Sequence, residues 1–268
     1  MIAKTYGCRG SVSFSRAAGS QYGVNTSCMT LTSRGESIII DAGSGLMLLE
    51  AEMKDKPRNI LISHLHLDHI IGLGIYSPLW QPKCDVRVYT CSRDERPLKE
   101  QVFGCFTPPY WPSSLAEVSD AICVPVESGV PFNIEHFTIT PIMANHADKT
   151  LSFHITDGEK SVAHLLDNEF VGMEKRMYQE LLDICTGADL VIFDSAYSTA
   201  DYPSMKGRGH STVEQGVKFA QECKPKRMMF AHYCWHYDDA EIDSWKKHTK
   251  GATDCEFIFS RDGVDLAF

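Results

Sequence analysis

The chain has 268 residues, of which 43% are hydrophobic and 23% are charged, so it can bury a large core without disulfide or metal staples. Its formal net charge of -9 at pH 7 argues against general affinity for nucleic acid through phosphate contacts, without excluding a local basic rim. The first residues lack the apolar segment of a signal peptide, and no apolar run approaches the roughly 20 residues that a membrane span needs. These features predict a cytoplasmic protein with no membrane partner.

The ten cysteines are scattered along the chain, and none forms a Cys-x-x-Cys pair. This distribution predicts reduced, mostly buried thiols in a cytosolic protein, rather than a disulfide framework or a structural zinc knuckle. Cys234 stands close to a candidate metal ligand, and we expect it to contribute packing. No internal repeat or low-complexity segment interrupts the chain, so we expect a single domain spanning residues 1–268.

The first predicted elements lead to an aspartate at a strand end. Ile2–Gly7 alternates as a strand, and residues 28–32 and 37–40 form a predicted hairpin. The second hairpin strand runs into Asp41. Two interpretations of this residue stay open: a turn residue that bonds local amides, or a carboxylate that orients a metal-bound histidine.

A cluster of metal-capable side chains follows the next buried strand. Residues 59–62 are apolar and β-branched enough for a strand, and residues 70–75 are typical of a helix start. The turn between them carries His64, His66, Asp68 and His69. The first two histidines can point the same way at the strand end, while the aspartate and the last histidine return from the loop. This geometry suits a pair of metal ions, and the alternative is a histidine-rich surface loop.

The middle of the chain is predicted to alternate between helices and strands. The predicted helices are Gly45–Glu52 and 94–102, and the predicted strands are 86–90, 137–142, 151–155 and 161–166. Residues 103–114 are rich in aromatic residues and prolines, and they form either a lid or pocket wall, or part of the core. His146 and Asp167 each stand just past a strand end, which repeats the placement of the first cluster.

The last third of the chain supplies two further candidates. Ser211 and Glu214 have the spacing of a capping box, so His210 is predicted to stand immediately before a helix N-terminus, where free amides favour anions. A phosphate-binding histidine and a solvated loop histidine are the two interpretations. His232 follows the predicted strand 227–231. The other predicted elements are a helix at 170–186, a strand at 189–194, a helix at 238–250 and a strand at 256–259.

These residues together resemble the metallo-β-lactamase superfamily over nearly the whole chain. Its His-x-His-x-Asp-His motif matches residues 64–69, and its later metal positions resemble His146, Asp167 and His232. The resemblance implies an α/β fold, namely a four-layer αβ/βα sandwich of two mixed β-sheets flanked by helices. Recurring strands followed by helices also predict two sheets packed face to face.

The resemblance further implies a two-metal site in which Asp167 bridges two sets of ligands. The first set is His64, His66 and His146. The second set is Asp68, His69 and His232. Asp41 matches the family's buried aspartate and would orient a ligand histidine. The donor set suits two zinc ions, and also manganese or iron.

The tetrapeptide at residues 209–212 separates the branches of this superfamily. Its Gly-His-Ser-Thr sequence is similar to an element of the phosphodiesterase branch, which includes ribonuclease Z and cyclic-phosphate phosphodiesterases. Glyoxalase II has no obvious counterpart of this tetrapeptide. True β-lactamases usually have cysteine in place of Asp167 and commonly lack a histidine at position 69, and the di-iron flavoprotein branch has glutamate in place of His66.

The branch implies hydrolysis of a phosphodiester, small or cyclic nucleotide-like, by metal-activated water. Asp68 would orient the water or accept its proton, and His210 would bind the phosphate or protonate the leaving oxygen. The alternatives are a thioester or other ester hydrolase like glyoxalase II, a tRNA 3′-processing endonuclease and a non-catalytic metal-binding sensor. The negative net charge disfavours tRNA as the substrate, and so does the lack of a long basic, glycine-rich insertion. The oligomeric state stays open.

Overall fold

The computed structural model describes residues 1–15 and 20–268, and two seven-stranded sheets dominate that part of the chain. The strands in chain order are β1 (Ile2–Gly7), β2 (Arg9–Gly10), β3 (Cys28–Ser33), β4 (Glu36–Ala42), β5 (Asn59–Leu61), β6 (Arg87–Thr90), β7 (Ile122–Pro125), β8 (Phe132–Ile134), β9 (Phe137–Met143), β10 (Leu151–Thr156), β11 (Ser161–Leu165), β12 (Leu190–Asp194), β13 (Arg227–Ala231), β14 (Tyr233–Cys234), β15 (Glu256–Phe259) and β16 (Val264–Ala267).

Helices connect these strands. They are α1 (Gly45–Glu52), α2 (Leu67–Ile70), α3 (Leu98–Phe103), α4 (Leu115–Val118), α5 (Lys175–Cys185), α6 (Tyr202–Met205), α7 (Val213–Cys223) and α8 (Asp239–Trp245). Single 3-10 turns lie at Ile71–Ile75, Ser77–Trp80 and Lys246–Thr249. Among the described residues, no helix combines the length and apolar character needed to cross a membrane.

Both sheets are mixed, as expected. The first has the order β16-β1-β3-β4-β5-β6-β7, and the second has the order β15-β13-β12-β11-β10-β9-β8. In the first sheet β4, β5, β6 and β7 are parallel, and in the second β11, β12, β13 and β15 are parallel. The carboxyl ends of the parallel strands therefore meet at one edge of each sheet, where α/β proteins place their chemistry.

The core lies between the sheets. Ile38 and Ile40 of β4 join the cluster that also contains Phe153 of β10, whereas Ile39 points the other way into a second cluster with the helices. Alternate residues of a strand face opposite sides of its sheet. The unbroken apolar run in β4 is therefore typical of a strand covered on both faces.

Several predicted boundaries were wrong. The helix predicted at 170–186 begins only at Lys175, because the Phe170 backbone N–H donates to Ser211 Oγ and Gly172 adopts a φ of 82°. The helix predicted at 94–102 begins at Leu98, directly after Pro97. The helix predicted at 238–250 is α8 followed by a 3-10 turn.

Strands β7, β8 and β16 were not predicted. These are short strands at or next to the sheet edges, where exposed residues blur the apolar pattern. In β16, for example, Val264 and Asp265 are exposed.

The loop at 103–114 packs into the core of the first sheet. Its first residue belongs to α3, Phe106 is buried, and the Trp111 ring stands 5.3 Å from the Phe106 ring, centroid to centroid. Trp111 also lies so close to Gly74 that a Cβ there would come within 2.5 Å of the indole. These contacts support core packing rather than a lid.

Candidate metal centre

The seven predicted metal ligands come together at the shared edge of the two sheets. His64 follows β5 and His146 follows β9, while Asp167 and His232 follow β11 and β13. The two sheets are joined at this edge by a hydrogen bond from the Leu151 backbone N–H to the Ser63 carbonyl. Residues that are more than 160 positions apart in sequence thereby reach one point.

The second predicted ligand set has nearly tetrahedral spacing. His69 Nε2 lies 3.3 Å from His232 Nε2 and 3.0 Å from Asp167 Oδ2, and it lies 3.5 Å from Asp68 Oδ2. His232 Nε2 stands 3.4 Å from each of the same two carboxylate oxygens. Ligands bound to a tetrahedral zinc ion at about 2.0–2.1 Å stand about 3.3–3.4 Å apart, so these four atoms match such an ion.

The first set is more open, and it faces the other oxygen of Asp167. The ligand atoms of His64, His66 and His146 all lie within 4.8 Å of one another. His64 Nε2 and His146 Nε2 stand 3.9 and 3.8 Å from Asp167 Oδ1. Since Oδ2 faces the second set, one carboxylate presents an oxygen to each group, which is the arrangement of a bridging ligand.

Neighbouring groups fix the ring orientation of two histidines. His69 Nδ1 lies 2.8 Å from Asp41 Oδ2, and Asp41 Oδ1 accepts the Ser63 backbone N–H at 2.8 Å. His146 Nδ1 lies 3.1 Å from the Gly209 carbonyl. Each ring therefore keeps a proton on Nδ1 and directs Nε2 to the centre, the atom that a metal would bind. Of the two interpretations of Asp41, these contacts support the orienting carboxylate.

Close backbone packing holds the rings from behind. A Cβ on Gly10 would lie 2.6 Å from the His232 ring, and a Cβ on Gly209 would lie 2.0 Å from the His146 ring. Gly209 also has a φ of 84°, a conformation that costs glycine little. Larger side chains at either position would displace a candidate ligand.

Four residues at the site adopt the left-handed backbone conformation although they are not glycines. They are Ser11, Asp41, Asp167 and His232, with φ values between 53° and 68°. Such a conformation costs roughly 1–2 kcal/mol per residue. Surrounding contacts hold it in place: the Asp167 backbone N–H donates to Asp194 Oδ2, and the His232 backbone N–H donates to the Cys8 carbonyl.

Burial and neighbouring charges shift the pKa values of the carboxylates and imidazoles at the site. Burial raises the pKa of Asp167, but His232, His69 and His64 outweigh it and hold this pKa well below its usual range. Burial lowers the pKa of His69, but Asp167, Asp41 and Asp68 raise it well above the ordinary value. Burial lowers the pKa of His64. The carboxylates are therefore anionic at neutral pH and attract cations.

These residues fit divalent metal ions. Within residues 1–15 and 20–268, the buried atom His64 Nε2 takes part in no hydrogen bond, and Asp167 Oδ2 faces His69 Nε2 at 3.0 Å. A buried polar atom without a partner is costly, and a cation in the first ligand set would give His64 Nε2 a partner, while a cation in the second would bind Asp167 Oδ2. Imidazole and carboxylate donors suit zinc, manganese and iron.

His210 lies beside the centre, but the predicted reason for its position was wrong. Thr212, not Ser211, caps α7 by accepting the Gln215 backbone N–H. The Ser211 hydroxyl instead donates to the Asn168 carbonyl, so no capping box forms at Ser211 and Glu214. His210 therefore stands two residues before the helix cap rather than directly before the helix.

Asp194 is the residue that holds His210, and no role was predicted for it. Its Oδ2 lies 3.0 Å from His210 Nδ1 and 3.4 Å from His232 Nδ1, and its Oδ1 accepts the Ser211 backbone N–H. Burial lowers the pKa of His210, but Asp194 outweighs it and raises this pKa to about 9. Its position at the end of a predicted strand could have indicated a functional role, because the same position indicated several of the metal ligands.

Comparison with known proteins identifies the family. A family model for the beta-lactamase superfamily domain matches residues 36–233. The chain belongs to this superfamily. A ribonuclease Z from Azobacteroides pseudotrichonymphae genomovar. CFP2 is 26% identical over 232 residues, which cover 76% of this chain and 80% of that protein.

Solved structures agree with this superfamily assignment. The metallo-beta-lactamase fold protein YhfI from Bacillus subtilis aligns with a TM-score of 0.76 at 20% identity and covers 99% of both chains. A diphosphatase from the PhnP family aligns with a TM-score of 0.72 at 18% identity, over 100% of this chain and 97% of that chain. The predicted family resemblance and the predicted fold are both confirmed.

Replacing Asp41 by asparagine should weaken metal binding about 10–100-fold. The Ser63 N–H needs an acceptor, so the amide oxygen would face Ser63 and the amide NH₂ would face His69 Nδ1. That ring would then carry its proton on Nε2 and lose its ligand atom. Competition with a chelator, followed by mass spectrometry of the bound metal, measures the change.

Asp189→Asn is the matched control, because Asp189 is a buried carboxylate just before the opposite end of β12, paired with Lys160 and Lys226. It should leave the metal affinity unchanged. Equal metal affinity of Asp41→Asn and the unmodified protein would contradict the orienting role of Asp41.

Proposed function

We propose that the protein is a two-metal hydrolase that cleaves a small or cyclic nucleotide-like phosphodiester. The observation that carries the proposal is the position of His210. Its Nδ1 lies 3.0 Å from Asp194 Oδ2, which holds it 3.9 Å from Asp167 Oδ1. A hydrogen-bond donor beside a two-metal centre is what phosphoryl transfer requires, because negative charge on the phosphoryl oxygens must be bound on more than one side.

Two divalent ions at this centre would supply an activated water near neutral pH and positive charge for the phosphoryl group. The ions would be held by the ligand sets described above, with zinc favoured and manganese or iron as alternatives. We assign Asp68 the task of orienting the attacking water. Its Oδ2 is engaged by His69, His232 and the Ser11 backbone N–H, which leaves Oδ1 to accept the water's proton.

His210 would act on the substrate through Nε2. Its Nδ1 is bonded to Asp194, and its side chain keeps 13% exposure while the side chain of His69 has none. The Tyr197 ring meets the imidazole edge to face, with centroids 5.5 Å apart, which limits its rotation. Nε2–H can therefore donate to a phosphoryl oxygen or pass its proton to the leaving oxygen.

A tRNA-processing activity is the second candidate, since a relative carries the name ribonuclease Z. The net charge of -9 opposes it, because binding of a long polyanion depends on cationic side chains. Hydrolysis of a thioester and non-catalytic metal sensing are further alternatives. We favour phosphodiester cleavage over both, because a phosphoryl group has several charged oxygens for His210 to bind and a metal sensor needs no proton donor.

We also propose that the chain forms one domain and that the protein is cytoplasmic. A single domain spanning 1–268 is supported by the core, which draws side chains from both sheets. A reducing, cytoplasmic location is supported by the cysteines, because all ten carry free thiols and six of them are buried.

Metal-loaded protein should hydrolyse bis(p-nitrophenyl) phosphate, whereas metal-free protein should not. A panel that includes a precursor tRNA, a thioester and a lactam measures the preference for each bond. Hydrolysis of the thioester or lactam without any phosphodiester cleavage would contradict the proposed branch. Cleavage of precursor tRNA at a higher kcat/KM than every small diester would make the second candidate the correct one.

His210→Ala should lower kcat for the diester about 10²–10³-fold, because one donor to the phosphoryl group or leaving oxygen is lost. Bound metal, measured by mass spectrometry, should stay the same. His236→Ala is the control, since His236 is four residues after His232 and its ring contacts the Trp235 and Tyr237 rings. A His210→Ala variant with unchanged kcat would remove the role given to His210.

A further inference from the structure

An apolar cleft borders the candidate metal centre on the side of Asp68. We define the apolar cleft by Val12, Met47, Leu67 and Ile71, which line a cavity of about 390 Å³ together with Ser11 and Asp68. The Ser11 backbone N–H donates to Asp68 Oδ2 at 2.7 Å. The wall of the cleft is therefore fixed directly to a residue of the metal centre.

The apolar side chains of this cleft are unusually exposed. Val12 is 50% exposed, Met47 is 46% exposed and Leu67 is 56% exposed. Single exposed apolar residues are common on protein surfaces. These three come from segments far apart in sequence and converge beside one active-site residue, which is typical of a ligand site rather than of scattered surface residues.

The polar groups at the back of the cleft already bond to one another. The Thr26 backbone N–H donates to Ser44 Oγ, and the Ser44 backbone N–H donates to Thr26 Oγ1, both at 2.8 Å. Ser44 Oγ in turn donates to Asn25 Oδ1 at 3.2 Å. A ligand in the apolar cleft would therefore gain mainly from burial of its own apolar surface.

The negative charge at the edge of the cleft also favours an uncharged ligand. The described residues that line it include no lysine or arginine, and Asp68 contributes a carboxylate. A second cleft, beside His146, is lined by Lys206 and by Glu169, whose carboxylate already accepts hydrogen bonds from Tyr202, Gly207 and Gly209. A negatively charged part of the substrate would be favoured near Lys206 and disfavoured in the apolar cleft.

We infer that the apolar cleft binds an uncharged, apolar ester group of the substrate, such as a single aromatic ring. The inference rests on the proposed phosphodiesterase function and names its substrate class: a phosphodiester with one apolar substituent. An RNA chain running through this cleft would place its next phosphate against Asp68, and the described lining residues offer that phosphate no cationic side chain. The cleft therefore separates a small diester from a polynucleotide.

Binding of two phosphonates tests the inference without relying on turnover. We expect zinc-loaded protein to bind phenylphosphonate about tenfold more tightly than methylphosphonate in calorimetric titrations, because only the phenyl ring fills the apolar cleft. The double variant Val12→Thr with Met47→Gln should reduce this preference to about twofold. Both side chains are half exposed, so these changes leave the core intact.

Val118→Thr is the matched control, because Val118 is 54% exposed at the end of α4, and it should keep the tenfold preference. Equal binding of the two phosphonates to the unmodified protein, or an undiminished preference in the double variant, would overturn the inference.

Hydrolysis of phenyl and methyl p-nitrophenyl phosphate by the same proteins separates the two proposals. A phenyl preference in binding with no hydrolysis of either diester would support the cleft and contradict the phosphodiesterase function. Hydrolysis of both diesters with equal kcat/KM and no binding preference would contradict the cleft alone.

Discussion

The buried carboxylate of Asp167 is the constraint on which the rest of the site depends. It lies in the interior with a histidine nitrogen within 4 Å of each oxygen. Taking a carboxylate out of water costs several kcal/mol. Positive charge must compensate that cost, and two ligand sets of suitable spacing stand on its two sides.

Other features of the molecule follow from that requirement. The backbone of Asp167 and His232 is left-handed, which aims both side chains back across the sheet edge. Glycines at positions 10 and 209 leave room for ligand rings. Asp41 and Asp194 supply a further layer of carboxylates that orient His69 and His210. The strain and the buried charge are concentrated where the chemistry is proposed, as is common at functional sites.

Much of the fold and of the ligand set could be predicted from the sequence, because both depend on local patterns. Apolar runs of four to seven residues indicated the central strands, and each group of candidate ligands begins within three residues of a strand end. The structure brings those residues together, although their roles as ligands stay predictions until metal is measured.

Features that depend on contacts between distant segments could not be predicted. Ser211 has capping-box spacing, but its hydroxyl bonds to the Asn168 carbonyl of another loop. Asp194 looked like any acid at a strand end, because its partners lie on two other segments. The apolar cleft is assembled from residues near positions 12, 47 and 67, and no local pattern relates them.

The superfamily explains the scaffold, whereas the surroundings of the centre decide the substrate. Solved structures at 20% identity or less share the fold, and one fold can carry many reactions. In this chain the centre is flanked by a fixed histidine donor, an apolar cleft on the Asp68 side and Lys206 on the His146 side. On our proposal, these three features select a small diester over a thioester or an RNA.

Anomalous diffraction from zinc-loaded crystals grown with phosphate tests the central claim most directly. The account predicts two zinc peaks, one contacting each oxygen of Asp167, and a phosphate between the metals and His210 Nε2. A single zinc peak, or two peaks with Asp167 bound to only one of them, would contradict the bridging role on which the proposed function depends.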